Sequence, residues 1–164
     1  VILRDKEVDE LEKEIDRLCL EFLIRQQPAA GHLRFVYAVI KINQESKYIR
    51  SIKEYAINEI KSIFPKIHFN GLSGNLDKST YTILNVCFPL DSEKGSMLDF
   101  HLDLNGIACS KGSACQSGSS SGSHVLNEIQ TDELKKYPSV RFSFSHYNTK
   151  KEVDYLIETI KSLS

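Results

Sequence analysis

The chain has 164 residues, of which 41% are hydrophobic and 26% charged, and its formal net charge is −1. That is the make-up of one globular domain with at most an appendage, and it excludes a mostly disordered chain, a collagen-like repeat and a disulfide mini-protein. There is no basic excess to serve as a nucleic-acid footprint, and no apolar run reaches the ~18 residues of a membrane helix. The opening stretch VILRDKEVDELEKEID is charged and has no signal-peptide pattern. The expected location is therefore the cytoplasm, with Cys19, Cys87, Cys109 and Cys115 as reduced thiols.

Residues 5–25 read as an amphipathic helix. Val8, Leu11, Ile15, Leu18 and Phe22 recur at three- and four-residue steps, opposite Glu, Lys, Asp and Arg. Cys19 lies beside this stripe as a small helix residue. Pro28 and Gly31 in QQPAAG break the pattern. They divide the chain into an N-terminal helical arm of unknown role (1–27) and a main domain (33–164). A second helical region is expected from about Leu33 to Phe64, in two pieces with a break near Asn43–Ser46. Ile49, Ile52, Ala56, Ile60 and Ile63 mark its apolar stripe, and Pro65 stops it.

After Pro65 the period changes. KIHFN (66–70) reads as a short strand and GLSGNLDKS (71–79) as a loop. YTILNVCFP (81–89) reads as a strand buried on both faces, with Cys87 in the core. KGSMLDFHLDLNG (94–106) fits a helix closed by Gly106. IACS (107–110) is a short strand entering a long loop. In SVRFSFS (139–145), Val140, Phe142 and Phe144 face one way and Arg141, Ser143 and Ser145 the other. Thr149 to Glu152 forms a capping box, followed by the stripe Val153, Leu156, Ile157, Ile160 and Leu163. The order predicts an α+β fold, a small and mainly antiparallel sheet with helices packed on one face.

The segment SKGSACQSGSSSGS (110–123) is rich in Ser and Gly and almost devoid of apolar residues. Such a composition suits a flexible linker. Its place inside a domain, and Cys115 near its middle, suit a functional loop. About six flexible residues on either side would carry a thiol roughly 10–20 Å, enough to serve two places in turn. Residues 111–122 are expected to be mobile, since they bury too little to offset their ordering entropy. A thiolate there needs local positive potential, and Lys111 and His124 are close in sequence. Two other chemistries compete for this segment: zinc bound by Cys109 and Cys115 with His101 and His124, and a Cys109–Cys115 disulfide. A phosphate loop is disfavoured because the run lacks a Gly-Lys-Ser/Thr ending. Arg141 reads equally as a surface arginine or as a guanidinium gripping a carboxylate.

GIACSKGSACQSGS (106–119) followed by SHVL (123–126) resembles the active-site loop of cysteine desulfurases of the NifS/IscS kind, in the class-V aminotransferase family. VRFSFSHYNTKKEVDYLI (140–157), LNVCFP (84–89) and MLDFHLDLNGIACS (97–110) are similar to the segments around that loop. The resemblance covers roughly residues 33–164. It implies the small C-terminal domain of a fold-type I pyridoxal-phosphate enzyme. Cys115 then matches the catalytic cysteine, which takes sulfur from L-cysteine as a persulfide while alanine is released. Arg141 matches the arginine that binds the substrate α-carboxylate. Implied partners are L-cysteine, a large cofactor-binding domain or homodimer partner, and sulfur acceptors such as an iron–sulfur scaffold. Cys109 has no required counterpart.

The sequence also departs from that family. There is no His-Lys pair to supply the cofactor lysine, no match to the large domain, and no Arg-x-Gly-Thr motif near QQPAAGHL (26–33). Pyridoxal 5′-phosphate is thus expected in the full-length enzyme and not on this chain alone, which by itself should not desulfurate cysteine. The alternative is a non-enzymatic sulfur carrier or interaction domain.

Overall fold

The structure, a computed structural model, describes residues 10–11, 13–22, 30–111 and 123–163. The chain divides into two compact units, Val1–Lys47 and Tyr48–Ser164. In the first unit residues 10–11 and 13–22 are helical (α1). Arg17 joins Glu14 at 2.5 Å and Glu21 at 2.9 Å along its polar side. The apolar stripe Leu11, Ile15, Leu18 and Phe22 is exposed.

Helix α2 runs unbroken over Ala30–Ile63, so the expected interruption at Asn43–Ser46 does not occur. No Gly or Pro lies between residues 32 and 63, and Asn and Ser weaken a helix without breaking it. The Ser46 hydroxyl donates back to the Asn43 carbonyl at 2.8 Å, and Lys41 pairs with Glu45 one turn on at 3.7 Å.

The second unit holds a sheet of β1 (His68–Phe69), β2 (Ile83–Cys87), β3 (Ser110–Lys111) and β4 (Ser139–Ser143). Their spatial order is β1-β2-β4-β3, and every pairing is antiparallel. Helices α3 (Ser92–Leu104), α4 (His124–Ile129) and α5 (Lys150–Leu163) complete it. The α+β class read from the pattern is the one observed. Leu84 and Val86 of β2 with Val140 and Phe142 of β4 form the core face. They pack with Ile52, Ala56 and Ile60 of α2, Leu98 and Leu102 of α3, and Val153, Leu156 and Ile160 of α5.

Local chemistry explains the ends of these elements. Asp91 caps α3 by accepting from the Lys94 N–H at 2.9 Å. At its other end Gly106 (φ +72°) donates to the Asp103 carbonyl and Ile107 to the Leu102 carbonyl, both at 2.9 Å. This is the left-handed stop that glycine permits. The capping box is closed in both directions, since the Thr149 N–H donates to Glu152 Oε2 at 2.7 Å and the Glu152 N–H to Thr149 Oγ1 at 3.3 Å.

Two details differ from the sequence reading. Strand β2 is not buried on both faces: Leu84 and Val86 are inaccessible, Ile83 is exposed and Asn85 half-buried. The long helices cover only one side. On the other, Cys87 alone is sealed, by the turn Leu134–Lys136 and its flank, with Sγ 3.6 Å from the Leu134 carbonyl and 3.9 Å from that of Tyr137. Helix α4, expected as loop, is too short for a periodic signal and is fixed by Ser123, whose Oγ accepts from the Leu126 N–H at 3.4 Å.

Candidate functional site

Strand β4 carries the site. Its alternation buries Val140 and Phe142 and turns Arg141 onto the face away from the core, where it is exposed. The register sets Arg141 opposite Asn85 of β2 on one side and opposite Ser110 of β3 on the other. Directly opposed residues have Cα atoms about 4.5–5.5 Å apart. Arg141 has no ion-pair or hydrogen-bond partner among the described residues. The loop seen in the sequence thus leaves the sheet from the strand beside Arg141 and rejoins at buried Ser123, the cap of α4. Cys115 itself, and the mobility expected of its loop, lie outside the described residues.

The other sequence candidates separate. Lys111 belongs to β3, and its ammonium is committed to α3, 2.5 Å from Asp99 and 3.5 Å from the Ser96 carbonyl. Cys109 lines a groove of about 340 Å³ with Asp99, Phe100, Asp103, Ala108 and Lys111. Burial pushes its thiol pKa up, and the carboxylates of Asp99 and Asp103 push the same way. That environment disfavours a nucleophilic thiolate. Cys87 is likewise pushed up by burial. His101 Nε2 lies 3.2 Å from both the Thr159 carbonyl and Ser162 Oγ, tying α3 to α5. His124 is exposed at the start of α4. Among the described residues no cluster of three or more His, Cys, Asp or Glu is arranged to hold a metal ion, and Cys19, Cys87 and Cys109 are free thiols. The zinc and disulfide alternatives both needed Cys115.

Two features escaped the sequence reading. One is a chain of amides on the Arg141 face. Gln130 Nε2 donates to Asn70 Oδ1 at 2.7 Å and to Ser139 Oγ at 3.1 Å, while Asn70 Nδ2 donates to Asn85 Oδ1 at 2.9 Å and to Ser139 Oγ at 3.0 Å. These residues are far apart in sequence and fall in no motif; only the half-polar pattern of LNVC hinted at them. The other is Lys53, fully buried on α2, whose Nζ donates to Ser79 Oγ and the Thr80 carbonyl, both at 2.8 Å.

Known proteins place this frame. The aminotransferase class-V pattern matches residues 29–156. The chain belongs to the class-V aminotransferase family. A PhoU domain pattern also matches residues 1–56. Within the class-V family, cysteine desulfurase IscS of Buchnera aphidicola is 35% identical over 128 residues, 78% of this chain and 30% of that protein. A probable mitochondrial cysteine desulfurase of Dictyostelium discoideum is 30% identical over 124 residues, 76% of this chain and 26% of that protein. A solved NifS-like protein shares the fold with a TM-score of 0.58 at 24% identity, over 78% of this chain and 30% of that one. The chain thus spans about 30% of the length of these class-V relatives and is homologous to the C-terminal region of the desulfurases.

Class-V aminotransferases depend on pyridoxal phosphate, and neither Lys53 nor Lys111 fits that group. A Schiff base needs an amine with room in front of it. Lys53 is enclosed, with its amine spent on Ser79 and Thr80. Lys111 lines a groove but is paired with Asp99, and Asp103 beside it would repel a phosphate. No step of the chemistry is therefore assigned to the cofactor on this chain. No described helix is long and apolar enough to cross a membrane.

Proposed function

We propose that the chain is the C-terminal, thiol-bearing part of a cysteine desulfurase, with residues 33–164 as the functional domain and 1–27 as a helical arm. Cys115 takes the sulfur of L-cysteine and passes it to an acceptor such as an iron–sulfur scaffold. In the net reaction the carbon–sulfur bond of cysteine is replaced by a sulfur–sulfur bond on Cys115, and the displaced thiol proton ends on the methyl group of alanine. Arg141 holds the α-carboxylate of the amino acid, a planar anion that a guanidinium meets with two parallel hydrogen bonds. The pyridoxal chemistry belongs to the large cofactor-binding domain of such an enzyme. The observation that carries the reading is the β3–β4 register: Ser110, at the root of the Cys115 loop, stands opposite the exposed Arg141, which has no partner among the described residues.

The engagement of the Lys53 amine by Ser79 and Thr80 and of Lys111 by Asp99 favours a second reading, a sulfur carrier that receives persulfide without taking part in its formation. One experiment separates the two. The chain is mixed with the large domain of a cysteine desulfurase, pyridoxal phosphate and L-cysteine, and persulfide and sulfide are measured. Sulfur release that disappears in Cys115→Ala and falls sharply in Arg141→Ala is expected. Release unaffected by Cys115→Ala refutes the desulfurase reading. Cys115 persulfidation only when a ready-made persulfide is supplied leaves the carrier alone.

A further inference from the structure

We propose that Asn85 is a second carboxylate-binding group beside Arg141, so that the site takes an anion between one charged and one neutral donor. The inference rests on the carboxylate role given above to Arg141 and adds a residue to the same sheet face. Asn85 is opposite Arg141 in the β2–β4 ladder, and alternation puts both side chains on the face away from the core.

The orientation of the Asn85 amide is set from behind. Gln130 donates to Asn70 at 2.7 Å and Asn70 donates to Asn85 Oδ1 at 2.9 Å. Asn70 is itself 4% exposed and cannot turn away to water. Each amide uses its oxygen to accept from the one before, so the last keeps its NH2 on the opposite edge of a planar group. That NH2 has no partner among the described residues. The main chain is equally fixed, because the Asn85 carbonyl accepts from the Asn70 N–H at 3.0 Å and from Ser73 Oγ at 2.8 Å. Among the described residues, a half-buried NH2 beside a guanidinium without a partner is a donor surface without an acceptor, and a small carboxylate supplies what it lacks. Donors held in place before the ligand arrives lose little freedom on binding.

The test uses the whole chain, isotopically labelled, with L-alanine and L-alaninamide as probes in nuclear magnetic resonance titrations. L-alanine is expected to shift the Asn85 side-chain NH2 signals, while L-alaninamide, which lacks the carboxylate, leaves them unmoved. Asn85→Ala is expected to weaken L-alanine binding roughly tenfold or more, the usual worth of a hydrogen bond to a charged group. In an Arg141→Ala background the same change has a smaller effect. Unmoved Asn85 signals in the wild-type chain, or equal affinity in wild type and Asn85→Ala, overturns the proposal whether or not the variant is fully stable. The result is separable from the sulfur chemistry. Carboxylate binding through Asn85 without persulfide on Cys115 sinks the desulfurase reading and supports the site. Persulfide formation whose KM for cysteine is unchanged in Asn85→Ala sinks the site and supports the reading.

Discussion

Asn70→Ala measures how firmly the Arg141 face is built. The substitution removes side-chain hydrogen bonds to Asn85, Ser139 and Gln130, of 2.9, 3.0 and 2.7 Å, at a residue only 4% exposed. Gln130 keeps its 3.1 Å bond to Ser139, but Asn85 Oδ1 is left without its donor. At about 0.5–1.5 kcal/mol net per bond, the loss is about 2–4 kcal/mol. For a chain of this size that lowers Tm by roughly 4–15 °C. Urea denaturation followed by far-ultraviolet circular dichroism reads it as a shifted midpoint at constant slope. Asn70→Asp is the sharper companion. Protonated, the new carboxyl can still accept from Gln130 and donate to Asn85; ionised, it sets a bare oxygen against Asn85 Oδ1. Its folded pKa is thus raised above the ordinary ~3.9, and its stability falls as pH rises from about 4. A loss below about 0.5 kcal/mol in Asn70→Ala, typical of surface changes, or an Asn70→Asp variant indifferent to pH, would refute the cooperative amide chain.

Three further outcomes are expected. Gly106→Ala costs about 1–2 kcal/mol by denaturant titration, all of it backbone strain at φ +72°, because a Cβ there meets nothing within 4 Å; Asn at 106 costs less, and a stabilising Gly106→Ala would contradict the assigned turn. Burial, then Arg50, lowers the Lys53 pKa, so between that lowered value and about 10.4 the unfolded chain holds the extra proton and stability rises with pH. Stability curves of wild type and Lys53→Met should therefore converge or cross as pH climbs from 7 towards 10, and parallel curves would count against the buried cation. Because burial and two carboxylates raise the Cys109 pKa, iodoacetamide at pH 7.5 should label Cys109 more slowly than a free cysteine peptide; labelling at the peptide's rate or faster would contradict its environment.

What the sequence disclosed depended on range. Strand β4 and the capping box of α5 are local, written in a period of two or in four consecutive residues, and both stand as read. So does the end of α3, where Gly106 has one role. Propensity at Asn43–Ser46 predicts a break in α2 because it does not include the Ser46 and Lys41–Glu45 contacts that carry the helix through. The six-residue α4 holds too few turns for a period to show. At the site, Arg141 is visible because alternation isolates one charge between Val140 and Phe142. Asn70, Asn85 and Gln130 were invisible because their contacts span 15 and 60 residues, and nothing local distinguishes an amide in a network from one in water. Lys53 was hidden likewise, its acceptors lying 26 and 27 residues away.

Strand β3 is only two residues long and lies at the margin of the sheet, whereas β4 is gripped on both flanks. Insertions, deletions or exchanges among residues 112–122 would tug on a hem and spare the central weave that aims Arg141. Selection can therefore re-tailor that stretch without refitting the face that carries Arg141. The brevity of the margin also leaves few open backbone groups for a stray strand to latch onto.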